Sequence, residues 1–365
     1  MHRIALLAAL AAALAGCQGM GTDQAGQRAG LYDGERSVLY QVQKNSQSPE
    51  QAMRIAAAAY AAGDTDQALY QYLRAVELDP GRYAALVWVG RIHRERGKHE
   101  LAKLALDEVL QAEPGNVEAL SEMGTLQISL RQYARAAEYL GRALRHDQAR
   151  QGIALPAGEL EDAGLLQVDA ASPLRLYNGL GVLADLRNDF VRAQAYYHLA
   201  LRISPRSALV ANSLGYSRYL AGDWGAARTA YLQALGFDAG YKAAWRNYGL
   251  LLARQGHYEE ALSAFEQVEP RAQASNDVGY VCLIEGKLEE AELFFRSAID
   301  LSPAHYEVAW QNLRRVQQIR RLRERGGELS PGLPVGRVPA LPAMASEAPV
   351  VSSVEVLPPL QPARP

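Results

Sequence analysis

A small residue, an alanine twelve positions later and commonly a proline twelve beyond that recur about every 34 residues through most of this chain. Gly90, Ala102 and Pro114 make one copy; Gly181, Ala193 and Pro205 make another; Gly279, Ala291 and Pro303 a third. A fixed period of this length means that each unit is one supersecondary element, unable to bury its apolar face until neighbours stack on it. Seven copies begin near Pro49, Tyr83, Val117, Leu174, Ala208, Lys242 and Ala272. Within each, apolar residues at helical spacing predict two amphipathic helices. In the sixth copy Trp245, Tyr248, Gly249 and Leu252 form the inner face of the first helix, while Ala261, Phe265 and Val268 face back from the second.

The small residues have a steric role. Gly249 and Ala261 fall where two helix axes approach closely, and a larger side chain there overpacks at roughly 1–3 kcal/mol. Gly63, Gly97, Gly222, Gly256 and Gly286 fall between the paired helices, where a residue of positive φ ends a helix. Pro80, Pro114, Pro205 and Pro303 follow second helices and stop them. Two departures stand out. The third copy lacks its proline and runs into residues 148–172, a Gly- and Pro-containing insertion with a short helix expected around Glu159–Leu166. The sixth copy is about four residues short because Pro270 arrives early, which predicts a tight turn into the seventh. Residues 306–325 predict one more helix, arginine-rich on its outer face, as a solvating cap.

These recurring positions resemble the tetratricopeptide repeat from about Pro49 to Pro303. The resemblance implies an all-α fold, a right-handed α-α superhelix of about seven repeats with a capping helix. The expected organisation is a leader at 1–16, a tether at 17–48, three repeats at 49–147, the insertion at 148–172, four repeats with the cap at 173–325, and a tail at 326–365.

The first residues read as a secretory leader: Arg3, then an apolar run from Ile4 to Leu14, too short to span a bilayer as a stable helix. It ends in Leu14-Ala15-Gly16-Cys17, which resembles the bacterial lipobox, so Cys17 is the expected lipid attachment site. At about 0.8 kcal/mol per buried CH₂, two or three acyl chains hold a protein firmly on a membrane. Gln18 stands where an aspartate marks retention at the inner membrane, so the resemblance implies the periplasmic face of the outer membrane. Residues 18–47 give a flexible tether of roughly 30 Å r.m.s. reach, with a weak helix expected around Arg36–Lys44. The only other cysteine, Cys282, falls on an inner helix face and behaves as a small buried hydrophobe. Nine of the 17 prolines lie in the tail, which has too little periodic apolar pattern to fold alone and reads as a spacer.

No chemistry-bearing constellation emerges. The histidines are scattered, and the chain contains no HExxH, P-loop, dinucleotide fingerprint or nucleophile elbow, so no cofactor, metal or small-molecule substrate is expected. Glu259-Glu260 and Glu289-Glu290 open second helices, where carboxylates suit the positive helix end. A net charge of −2 gives no general pull toward phosphate, which argues against nucleic acid. The one basic cluster, Arg314 to Arg325, reads as part of the solvating cap, with anionic headgroups or an acidic partner patch as the alternative.

The repeat resemblance implies that first helices line a groove through positions 2, 5, 9 and 12. In the last four repeats these are Arg175, Asn178, Val182 and Asp185; Leu209, Asn212, Tyr216 and Tyr219; Ala243, Arg246, Leu250 and Ala253; and Gln273, Asn276, Tyr280 and Leu283. Asparagine recurs at one position (Asn178, Asn212, Asn276), where its amide can hold a peptide backbone or serve as an ordinary polar helix residue. Tyr216, Tyr219, Leu250, Tyr280 and Leu283 offer an aromatic and apolar floor, and Arg246 a cation for a carboxylate or carbonyl. The stretches YNGLGVLADLRNDFVRAQAYYHLAL (177–201), NSLGYSRYLAGDWGAARTAYLQAL (212–235) and NDVGYVCLIEGKLEEAELFFRSAIDLSP (276–303) resemble the TadD family, repeat lipoproteins of the tight-adherence, or Flp pilus, system. That resemblance, best over about 172–320, implies a non-enzymatic scaffold that helps an outer-membrane secretin, or another pilus assembly component, to localise or assemble. The insertion and the tail depart from the family pattern. A type IV pilus pilotin and an adaptor for peptidoglycan hydrolases are the alternative scaffolds.

Overall fold

The computed structural model describes residues 46–155, 163–302 and 304–326. Helices account for nearly all of them: α1 (Pro49–Ala61), α2 (Thr65–Leu78), α3 (Tyr83–Glu95), α4 (His99–Ala112), α5 (Val117–Ser129), α6 (Tyr133–Arg150), α7 (Leu174–Leu186), α8 (Phe190–Ile203), α9 (Ala208–Leu220), α10 (Trp224–Phe237), α11 (Lys242–Arg254), α12 (Tyr258–Phe265), α13 (Arg271–Ile284), α14 (Leu288–Asp300) and α15 (Glu307–Gly326). Each predicted repeat is a hairpin of an odd-numbered and an even-numbered helix. The chain divides into two compact units within α6, between Ala143 and Leu144.

Local chemistry sets the hairpins. Ser48, Asn116 and Ser207 cap first helices, and Asp64, Asp189 and Asp223 cap second helices, each accepting a backbone N–H three residues on. Such a cap contributes about 1 kcal/mol. All five predicted inter-helix glycines have positive φ, between 69° and 84°. In the third and fourth repeats Arg131 (58°) and Asn188 (60°) take the same place without being glycine. The seven repeat alanines, Ala68, Ala102, Ala136, Ala193, Ala227, Ala261 and Ala291, are all fully buried.

In the first unit the glycines of α3 and α5 lie against leucines: a Cβ on Gly90 meets Leu106 at 2.7 Å, and one on Gly124 meets Leu140 at 2.5 Å. In the second unit the matching residues are rings, Tyr197 under Gly181, Tyr231 under Gly215, Phe265 under Gly249 and Phe295 under Gly279. Tyr197, Tyr231 and Phe295 are among the largest fully buried side chains. Cys282 is 1% exposed, and burial raises its thiol pKa.

One expectation is corrected. The sixth repeat is short because its second helix is short: α12 has 8 residues where α10 has 14. The turn to α13 is not tightened, since residues 266–270 give it one residue more than the turn at 238–241. In the insertion, Ala163–Leu165 form a single 3-10 turn within the range of the short helix expected around Glu159–Leu166, whose residues 159–162 lie outside the described residues. The end of the insertion is pinned. Asp147 accepts from Tyr177 Oη (2.6 Å) and Ser172 Oγ (2.9 Å), Arg150 grips Asp169 with two bonds of 2.7 Å, and Gln148 donates to the Gln167 carbonyl at 2.7 Å. Cys17, the expected helix at Arg36–Lys44, Pro303 and the tail from 327 also lie outside the described residues.

Candidate protein-binding face

The first helices of the second unit pack side by side in order, α7 on α9, α9 on α11, α11 on α13 and α13 on α15. Side chains at a given repeat position therefore meet their neighbours across successive helices. Asn212 Oδ1 accepts from Asn247 Nδ2 at 2.9 Å, and Asn276 Oδ1 accepts from Asn312 Nδ2 at 2.9 Å. Both asparagines are buried, and their acceptors serve the stack. Asn178 is buried too, but Ser213 stands where Asn247 stands one repeat later, and its hydroxyl donates to its own helix at Leu209 O. Asn178 Oδ1 has no hydrogen-bond partner among the described residues.

Further along these helices lies an aromatic and charged cluster. Asp185 is 8% exposed and accepts 2.7 Å bonds from Tyr197 Oη and Ser217 Oγ. Burial with only hydroxyl donors to compensate pushes its pKa up to about 6. Tyr216 and Tyr219 stack with ring centroids 5.9 Å apart. Arg254 lies over Tyr219 (5.4 Å) and Trp224 (5.7 Å), donates to Tyr219 Oη at 2.8 Å and pairs with Glu285 at 2.9 Å. A cation over two rings and beside a carboxylate is held by every contact it makes.

Arg246 differs. It reaches Glu269 at 3.2 Å, yet its side chain remains 44% exposed while that of Glu269 is 3% exposed. Burial and the neighbouring Asp277 charge push Glu269 up to about 7, and burial raises Asp277 as well. Of the sequence-predicted face, then, Asn178, Asn212, Tyr219, Leu250 and Asn276 are buried in the stack, Tyr216, Tyr280 and Leu283 are half-buried, and Arg246 is exposed.

One cluster was missed by reading only the last four repeats. In the first unit Arg91 and Arg94, at positions 9 and 12 of the second repeat, both pair with Glu122 of α5, at 2.6 Å and 3.2 Å. The Glu122 and Arg94 side chains are 0% and 1% exposed. Arg91 also covers Trp88 at 4.1 Å, and Trp88 stacks on Tyr72 at 5.4 Å. The same position rule, applied to α3, marks both arginines. Among the described residues no group of His, Cys, Asp and Glu could hold a metal ion, and no helix is long and apolar enough to cross a membrane.

Comparison with known proteins matches this geometry. Family models described as tetratricopeptide repeat match residues 93–155, residues 53–117 and 212–273, and residues 272–305. With hairpins, buried alanines and close-approach glycines in register, the chain is a tetratricopeptide-repeat protein with an all-α, α-α superhelical fold. Solved structures similar to it include a monomeric IFIT1 mutant (TM-score 0.56, 13% identity, 77% of this chain and 65% of that one). The Cut9–Hcn1 hetero-tetramer of the APC/C is another (0.51, 16%, 76% and 50%). A tetratricopeptide repeat protein from Parabacteroides merdae is a third (0.43, 17%, 74% and 100%). At these identities the likeness concerns the fold alone. No curated protein matches the chain. Repeats of this kind serve as protein–protein interaction scaffolds, and that is the class the fold defines.

Proposed function

We propose that this chain is a non-enzymatic scaffold lipoprotein, anchored through Cys17 on the periplasmic face of the outer membrane and serving assembly of a tight-adherence (Flp) pilus. Its partner in this reading is a segment of the secretin or of another assembly component. The leader ending at Cys17 supports the anchor, and the stretches at 177–201, 212–235 and 276–303 support the system. The observation that carries the binding face is Arg246. Its neighbours at repeat position 5, Asn212 and Asn276, are closed off by bonds to the next first helix, whereas Arg246 keeps 44% of its side chain in solvent. With half-buried Tyr280 and Leu283 on the next helix, it offers one charged and two apolar anchors to a bound segment.

The test is crosslinking in cells from a photoreactive residue at exposed Gln273, with the captured protein identified by mass spectrometry. Capture of a secretin or pilus component, lost in Arg246→Ala/Tyr280→Ala while helix content and melting hold, supports the reading. Capture of a peptidoglycan hydrolase moves the scaffold to another machine, and capture unchanged in the double variant removes this face. The anchor is tested separately: Cys17→Ser should leave the outer-membrane fraction, and a variant that still sediments there overturns it.

A further inference from the structure

Helix α15 is the first helix of an eighth repeat that has no second helix among the described residues. Asn312 donates to Asn276 as Asn247 does to Asn212. Ala309 and Val316 are fully buried against the preceding repeat, as Ala244 and Leu251 are in α11. In that register Trp310, Leu313 and Arg314 stand where α11 has Trp245, Tyr248 and Gly249. Arg314 therefore occupies the position at which every earlier repeat of this unit has a glycine so that a second helix can approach. A long cation there keeps that side of α15 open.

The open side has a definite chemistry. Trp310, Arg314 and Arg321 fall on one line at helical spacing and are exposed, with exposed Leu322 further round the same side, whereas Arg315 is half-buried and lies toward Tyr280 of α13. Trp310 is 37% exposed and Leu322 60%. Arg314 pairs with Glu307 at 2.9 Å, whereas Arg321 has no ion-pair partner among the described residues. Six arginines against two glutamates lie within α15, in a chain whose net charge is −2. Among the described helices α15 packs on α13 and α14, so its free side is a ridge and not a cleft. A ridge meets a plane better than it encloses a peptide. Exposed tryptophan, leucine and arginine on one helix face are what an anionic lipid surface takes up: apolar side chains at the headgroup boundary, guanidiniums on phosphates.

We propose that the open side of α15 is a contact surface for anionic phospholipid. This contact adds to the acyl anchor and does not depend on it, so it is tested without acyl chains. The chain from Gln18 onward, which contains all fifteen helices and omits the leader and Cys17, is mixed with phosphatidylcholine vesicles with and without phosphatidylglycerol. Sedimentation should require phosphatidylglycerol and fall with salt. Arg314→Gln/Arg321→Gln, which removes the two exposed arginines of that line, should weaken it about ten- to thirty-fold at roughly one kcal/mol per arginine. The control Arg135→Gln/Arg145→Gln, exposed on α6, should change it little. Absence of binding, equal binding to both vesicles, or equal loss in both double variants overturns the proposal. Binding of poly-glutamate without binding of vesicles also overturns it and makes the surface one for an acidic protein.

Discussion

The two units place different side chains under the same repeat glycine, and the choice changes how each handles a buried carboxylate. In the first unit Leu106 and Leu140 fill the site and supply no polar atom, so Glu122 is neutralised by charges from the first helices, Arg91 and Arg94. In the second unit Tyr197 fills it, and its hydroxyl reaches Asp185 alongside that of Ser217. One carboxylate has two guanidiniums and the other two neutral donors. Tyr231 shows the cost of the aromatic solution, since its hydroxyl is buried with no hydrogen-bond partner among the described residues. A ring adds apolar area to the hairpin but brings a polar atom that some other residue has to satisfy.

The sharpest way to break this contrast is Glu122→Ala. It removes the shared counter-charge and leaves Arg94 to Glu95 at 3.4 Å and Arg91 to Glu118 at 3.6 Å, a change that costs about 3 kcal/mol, the low end for a broken buried pair. Hydrogen exchange should show the loss in the amides of α3 and α5, with the second unit little changed. Uniform loss across both units would mean that the two do not respond as separate stability blocks.

Asp185 should show the opposite electrostatic behaviour. Its folded pKa of about 6 lies above its unfolded value, so between roughly pH 4 and 6 the native chain binds the proton that the unfolded chain releases. Stability contributed at this site is therefore present at low pH and lost as pH rises through the folded pKa, by about 2–3 kcal/mol at neutrality. Glu269, raised to about 7, adds a slope of the same sign, so the measurement is the difference between wild type and Asp185→Asn in denaturation from pH 4 to 7. The variant should be flatter over that window. Parallel curves would remove Asp185 as the titrating group.

How much of this was legible beforehand depended on whether a residue's role is local or lies between repeats. The starts of the first helices were predicted to within a residue, because caps, glycines and prolines act on their own backbone. The turns at Arg131 and Asn188 were missed because positive φ was sought only through glycine, whereas asparagine tolerates it and at Arg131 the helix end is closed by backbone bonds from Arg131 N–H to Ile128 O (2.9 Å) and Gln132 N–H to Gln127 O (2.8 Å). For the face, periodicity grouped Asn178, Asn212 and Asn276 at one repeat position, but could not show that position 5 points at the next first helix. That depends on a neighbour about 35 residues away, and the residue there, Asn247 or Ser213, decides whether the amide is satisfied.

Exchanging the rings' surroundings is a milder probe. Gly181→Ala brings a Cβ to 2.5 Å of the Tyr197 ring, which has to shift away from Asp185 to make room, and Gly124→Ala brings one to 2.5 Å of Leu140. Both overpack, at about 1–3 kcal/mol. Leucine can change rotamer without breaking a hydrogen bond, so Gly181→Ala should be the costlier and Gly124→Ala the cheaper. Only the former should also alter the pH dependence described above. Equal melting temperatures with unchanged pH profiles would mean that the Tyr197–Asp185 bond adds nothing to the packing.

The smallest expected effect is a gain. Asn178 lacks the donor that Asn212 and Asn276 receive, because Ser213 spends its hydroxyl on the Leu209 carbonyl. Ser213→Asn places an amide where Asn247 and Asn312 place theirs, and the side chain is half-buried, with the same first-helix packing around it. Satisfying a buried acceptor is worth about 1 kcal/mol, less the loss of a serine bond to a carbonyl already used by the helix. The variant should melt slightly higher, and Asn178→Ala should cancel the gain in a double-mutant cycle. A gain that survives Asn178→Ala would trace to helix propensity at position 213 and leave the asparagine ladder a matter of geometry without energetic weight.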